Sequence, residues 1–169
     1  MEQPVFILSD WKGLAAKAIV QYLSQFNITL IVNGSEDDVL MQVPTEVEAR
    51  IIGLPFDCSS EEAIEATFST LIDLLGRVDV IINNNFYWQD APLDNLEVST
   101  WTEVFQRNLL RGFVLSRVAS KLMRALEYGK IIQVTTTSCF TGHHTMMASA
   151  SAALHSLTKS LAIELAPHV

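Results

Sequence analysis

The strongest constraint on this chain is the form of its apolar segments, which are short and nearly continuous instead of alternating. Val5–Leu8 and residues 28–32, 50–54 and 78–82 are short runs made mostly of apolar side chains, and a further run opens at Gly129. A strand with one face in water alternates polar and apolar residues, whereas a strand covered on both faces need not. Helical periodicity fills the intervals. Ala15, Ala16, Ile19, Val20 and Leu23 share one helical face, as do Ala63, Ile64, Phe68, Leu71, Ile72 and Leu75 ahead of the stop signal Gly76. Ser59 with Glu62, and Thr100 with Glu103, have capping-box spacing, and Val39, Leu40 and Val43 fit a short helix before Pro44. Strands alternating with helices predict an α/β, doubly wound parallel sheet covered on both sides.

At 169 residues, 49% of them hydrophobic, the chain suits one domain spanning 1–169. It shows no repeat, linker or low-complexity tract. The net charge of −8 argues against nucleic acid, whose affinity rests on clustered Lys and Arg, and against an anionic membrane surface. No apolar stretch reaches the roughly 18 residues of a membrane span. Cys58 and Cys139 lie far apart without metal-ligand spacing and read as reduced, buried thiols, as in the cytoplasm. The start, MEQPVFILSD, is acidic and lacks the long apolar core of a signal segment.

Several tags then occur together. Asp79-Val80-Ile81-Ile82-Asn83-Asn84 is a strand leading into an Asn pair. Trp101, Asn108, Gly112 and Phe113 follow in one helix, and Ala152-Ala153-Leu154, Leu157-Thr158-Lys159, Leu161-Ala162 and Glu164-Leu165-Ala166 in another. In this order and spacing, over nearly the whole chain, they resemble the short-chain dehydrogenase/reductase family. The resemblance implies a Rossmann-like sheet and hydride transfer between NAD or NADP and a carbonyl or alcohol.

It also implies a Tyr as acid/base, a Lys one turn later that lowers its pKa and holds the cofactor ribose, a Ser at the substrate oxygen, and an Asn in a proton relay. Asn108 matches the Asn. Thr136 matches the Ser, with Thr135, Thr137 and Ser138 as neighbouring alternatives. Counting back from Ala152-Ala153-Leu154 places Met147 at the Tyr position and Ser151 at the Lys position. Met has no exchangeable proton, and Ser carries no charge to depress a neighbour's pKa. No tyrosine follows Tyr128, and Lys159 lies two turns too far along. A positioned general acid or base is worth roughly 10²- to 10⁴-fold in rate, so its loss predicts little carbonyl reduction.

The cofactor end departs as well. Where the family has Thr-Gly-x-x-x-Gly-x-Gly, this chain has Ser9-Asp10-Trp11-Lys12-Gly13, with Asp10 at the first glycine, a bulky Trp11, and Gly13 off register. Asn83 and Asn84 are retained, but Asn85-Phe86 replaces Ala-Gly, which sets a phenyl ring beside the nicotinamide ribose. Asp57 matches the residue that contacts adenine. After the second strand, Asn33-Gly34-Ser35-Glu36 offers neither the acidic residue of NAD recognition nor the basic patch of NADP recognition. Cofactor contact through Ser9, Asp10, Gly13, Asp57, Asn83 and Asn84 is therefore expected to be weak or absent.

His143 and His144, in the loop ahead of the last helix, and Tyr87 are candidate substitute acids. No metal set is evident. Phe86-Tyr87-Trp88 could line a small-molecule pocket. The aromatic run and residues 136–140 also resemble halohydrin dehalogenases, whose triad Met147 and Ser151 fail to supply. Helices 101–126 and 146–166 match those that pair across a two-fold axis in the family, and the first is apolar on more than one face, which favours a homo-oligomer. The chain stops after Ala166-Pro167, where another strand is expected, so the family's C-terminal strands are read as absent. The expectation is a dimeric small-ligand or partner-binding module without the ordinary catalysis. The alternatives are an oxidoreductase with a non-standard acid, or a dehalogenase-like lyase.

Overall fold

The computed structural model describes residues 3–12, 15–40, 43–44 and 46–169. Five strands form one parallel sheet: β1 (Val5–Leu8), β2 (Thr29–Val32), β3 (Arg50–Gly53), β4 (Val80–Asn83) and β5 (Lys130–Gln133), in the order β3-β2-β1-β4-β5. The expected doubly wound arrangement is present. Register runs through the centre as Ile31↔Ile7↔Ile81.

Alternate residues of each strand serve opposite layers. Ile7, Ile31 and Ile81 pack with Ile64, Phe68 and Leu71 of α3 (Glu61–Leu75) and with Leu115, Val118 and Met123 of α5 (Arg111–Ala125). Leu8, Leu30, Val32 and Ile82 pack on the other face with Ala16 and Val20 of α1 (Ala16–Leu23) and Val39 of α2 (Glu36–Leu40). Every residue of β2 and β4 is buried, which accounts for their lack of alternation.

The run after Gly129, expected to be buried, is instead the sheet edge, and Ile132 is 45% exposed. The fourth strand begins two residues later than predicted. Asp79 ahead of it is occupied by Arg77, through Nε and Nη2, and by the backbone N–H of Val5 at 2.7 Å.

Both capping boxes are corrected. Ser60, not Ser59, caps α3, its Oγ accepting from Ala63 N at 3.2 Å, because Asp57 holds both the Ser59 N–H and its hydroxyl. Gly76 closes α3 at φ 74°, a left-handed conformation suited to glycine. Thr100 lies inside α4 (Val98–Phe105), which starts earlier than predicted and follows a tight turn at Leu93–Asn95. A π-helical turn, Gln106–Leu110, joins α4 to α5 and carries Asn108. After β5, α6 (Ser138–Thr141) leads into the long α7 (Thr145–Leu165). Among the described residues, no helix is long and apolar enough to cross a membrane.

Candidate functional site

Strand order reverses between β1 and β4, and the loops leaving their C-terminal ends part there to form a crevice, the usual ligand position in such sheets. The turn after β1 is braced by β4. Asn84, fully buried, donates its backbone N–H to Ser9 Oγ (2.9 Å) and its side-chain Nδ2 to the Asp10 carbonyl (3.2 Å). Asn83 turns inward instead, its Nδ2 reaching Ser116 Oγ at 3.0 Å and the Gly112 carbonyl at 3.3 Å. These two matched residues thus hold the frame and do not line the crevice. Gly13 lies outside the described residues.

The crevice itself is a polar cleft of about 250 Å³ that includes Ser9, Asp10, Trp11, Asp57, Asn85 and Arg111 in its lining. Its two carboxylates are engaged locally. Asp10 Oδ1 accepts from Lys12 N at 2.8 Å, and Asp57 Oδ1 accepts from the Ser59 hydroxyl (2.6 Å) and backbone N–H (2.8 Å). The Ser59 hydroxyl, then its backbone N–H, hold the Asp57 carboxyl below its ordinary value. Beneath them, burial pushes the Cys58 thiol up to about 12, partly offset by the hydrogen bond from Asn33.

Trp11 packs against Gly34, just past the end of β2. A Cβ on Gly34 would meet its Cδ1 at 2.2 Å, so only glycine fits under the indole. The Lys12 ammonium stands 4.9 Å from the same ring. This is the region where the family resemblance implies recognition of the cofactor ribose. Arg111, at the start of α5, was missed by sequence reasoning, since it falls between the tags Asn108 and Gly112 without belonging to either. Its charge adds to the Ser59 hydrogen bonds in holding the Asp57 carboxyl below its ordinary value.

The second part of the site is the corner between β5 and α7. Ser151 is 4% exposed and donates to the Thr136 carbonyl at 2.6 Å, and its Oγ lies 2.9 Å from Thr135 Oγ1. Thr135 is therefore the hydroxyl that faces the Lys position, while Thr136 Oγ1 accepts from Ser138 N at 3.3 Å. Met147 is 3% exposed and packs with Val104, Met146, Ala150 and Phe86. Asn108 is saturated: its Nδ2 donates to the Tyr87 and Val104 carbonyls, and its Oδ1 accepts from Tyr87 N at 2.8 Å. These residues leave about 10 Å³ of open space, no more than one water requires.

The substitute acids stand elsewhere. Tyr87 points its hydroxyl to Glu103 at 3.2 Å beneath the Arg107 guanidinium. His144 caps α7 at φ 64°, places Nδ1 at 2.5 Å from Asp90 Oδ2, and meets Trp88 edge-on. His143 is exposed beside it. None of the three lines the corner. Both cysteines are free, with Cys58 buried and Cys139 half-buried, not fully buried as expected. Among the described residues, no cluster of three His, Cys, Asp or Glu could hold a metal ion.

Residues 3–169 match the family described as short chain dehydrogenase. The chain is 27% identical over 157 residues to the 3-oxoacyl-(acyl-carrier-protein) reductase FabG of Aquifex aeolicus, covering 89% of this chain and 63% of that protein. It is 26% identical over 174 residues to the NADPH-dependent reductase BacG of Bacillus subtilis, covering 99% of this chain and 67% of that protein. It therefore spans about two thirds of the length of these curated relatives. Its fold is shared with a short chain dehydrogenase from Bacillus anthracis (TM-score 0.85, 20% identity, covering 95% of this chain and 69% of that one). It is likewise shared with an NAD+-bound xylitol dehydrogenase (TM-score 0.84, 22% identity, covering 99% and 66%).

Proposed function

Because this chain belongs to the short chain dehydrogenase family, we propose that it is a member which has set aside NAD(P)-dependent oxidoreductase catalysis and acts as a dimeric module binding a small ligand or a partner. One observation carries this reading. The corner that would receive the reacting groups is closed to about 10 Å³ around Met147 and Ser151, with Asn108 already saturated by Tyr87.

The residues present do not suit the dinucleotide at either end. Trp11 packs just past the end of β2, where the ribose would be recognised, and the cleft of about 250 Å³ falls below the roughly 300–1,000 Å³ of ordinary ligand sites. Among the described residues lining the corner there is no Tyr, Lys, His or carboxylic acid, Thr135 donates to Ser151, and Ser151 donates to the Thr136 carbonyl. Dimerisation is supported by an apolar groove of about 440 Å³ along the π turn, α5 and α7, lined in part by Phe105, Leu109, Phe113 and Leu157. The free thiols suit a reducing compartment such as the cytoplasm.

Calorimetric titration with NAD and NADP tests the reading, alongside turnover of a carbonyl panel with both reduced cofactors. Neither binding nor turnover is expected. A micromolar dissociation constant or measurable turnover overturns it.

One observation favours the alternative of a working oxidoreductase with a different acid. The His144–Asp90 contact at 2.5 Å is an oriented imidazole of the kind used in proton transfer. Under that reading His144→Gln abolishes turnover; unchanged turnover removes it.

A further inference from the structure

The end of the sheet opposite the crevice carries an open groove of about 450 Å³, within the roughly 300–1,000 Å³ of ordinary ligand sites. Strand register fixes its floor. Phe6 of β1 aligns with Val80 of β4, and Val80 with Lys130 of β5, so the three side chains form a row on one face at the N-terminal ends of the strands. Ile132, two residues along β5, extends that row along the sheet edge. Tyr22, from the last turn of α1, and Phe26, just past it, meet edge to face at 5.2 Å and add a wall. Both are exposed, as are Tyr128 and Ile132, so the groove gathers apolar surface of the kind that marks a binding site.

Asp79 also lines the groove, but its carboxylate is buried and held by Arg77 and the Val5 N–H. Lys130, by contrast, is exposed and forms no ion pair among the described residues. A cation at the end of an apolar row complements a molecule with an apolar body and one terminal negative charge. We propose that this groove binds a hydrophobic carboxylic acid, its apolar body over Phe6 and Val80 and its carboxylate on the Lys130 ammonium. A single ammonium matches a carboxylate, whereas a phosphate calls for more donors. The site goes beyond the reading above: it lies at the far end of the sheet from the crevice and stands whether or not a dinucleotide binds there.

The test is calorimetric titration with hexanoate, octanoate and decanoate, with octanol and octylammonium as neutral and cationic counterparts. It is repeated on Lys130→Met and Phe26→Ala, both at exposed positions, with thermal unfolding to confirm the fold. Octanoate is expected to bind saturably, about fivefold or more tightly than octylammonium, and K130M to remove that preference. Affinity should climb from hexanoate to decanoate, by up to about fourfold per methylene buried, and less steeply in F26A. Absent octanoate binding, equal affinity for octylammonium, or a K130M affinity matching the wild type each overturns the proposal. A dimer that Phe26→Ala with Ile132→Asp dissociates would assign the groove to a second copy and overturn it as well. NAD titrated in parallel separates the two readings. Micromolar NAD binding beside Lys130-dependent octanoate binding supports this site while overturning the non-dehydrogenase reading; loss of the octanoate response alone overturns only this one.

Discussion

Thr135 and Ser151 face each other hydroxyl to hydroxyl at 2.9 Å, one from the end of β5 and the other from the second turn of α7. Since Ser151 spends its hydrogen on the Thr136 carbonyl at 2.6 Å, Thr135 must be the donor of the pair. A chain of two neutral hydrogen bonds thus occupies the place where the family resemblance implies a lysine ammonium.

Removing that chain has a defined cost. Ser151→Ala removes the partner of the half-buried Thr136 carbonyl and Thr135 hydroxyl, and it should lower unfolding free energy by about 1 kcal/mol in urea titration. Ser151→Lys should cost more, because an ammonium would enter a corner with about 10 Å³ of free space. Even Met147→Tyr with Ser151→Lys should give no carbonyl turnover, as both side chains need room that Phe86 and Ala150 occupy.

Trp11 lines the cleft and packs against Gly34. Trp11→Ala should bring NAD binding into the range calorimetry can measure, whereas Trp11→Phe should not, because a phenyl ring still covers Gly34. Equal heats for both variants would show that the indole is not the obstacle.

Cys58 makes stability sensitive to alkali. Its thiol is held up to about 12 by burial, so the unfolded chain ionises first as pH rises. The stabilisation is complete below the ordinary thiol value near 9 and is lost between there and about 12, at about 1.4 kcal/mol per pH unit. Urea unfolding between pH 9 and 11 should therefore fall less steeply in Cys58→Ala than in the wild type.

Asp79 ties the start of β4 to β1 through Val5 N at 2.7 Å and receives Arg77 in a bidentate pair. Asp79 is 3% exposed, so Asp79→Ala strands the Val5 donor, and a loss of about 1–3 kcal/mol in chemical denaturation is expected.

The groove beside Phe113 and Leu157 gives the assembly prediction. Phe113→Asp with Leu157→Asp should convert a dimer to a monomer in sedimentation equilibrium without loss of helical signal, since both residues line an open apolar surface. A wild-type monomer would refute the expected two-fold pairing.

Features that depend on near neighbours were legible in the amino-acid order, including the helix stop at Gly76 and the buried aliphatic runs of β2 and β4. Local competition hid other details. Ser59 has capping spacing with Glu62, but Asp57 takes it first and leaves the cap to Ser60. Asn108 was found by its motif, yet nothing in its surroundings signals a π turn or a side chain consumed by Tyr87. Arg111 could have been flagged as a cation one turn after Asn108, on the helix that returns to the crevice.

By itself the sequence determined the layered α/β sheet and the absence of Tyr and Lys from their positions, because burial on both strand faces and the identity of a side chain are written residue by residue. Only the tertiary structure decided that the vacated corner is packed shut and that Trp11, Arg111 and Asn85 converge on one cleft. Those meetings arise where the loops after β1 and β4 part and α5 returns across them. They depend on crossovers that join residues far apart in the chain, and no local period encodes such distances.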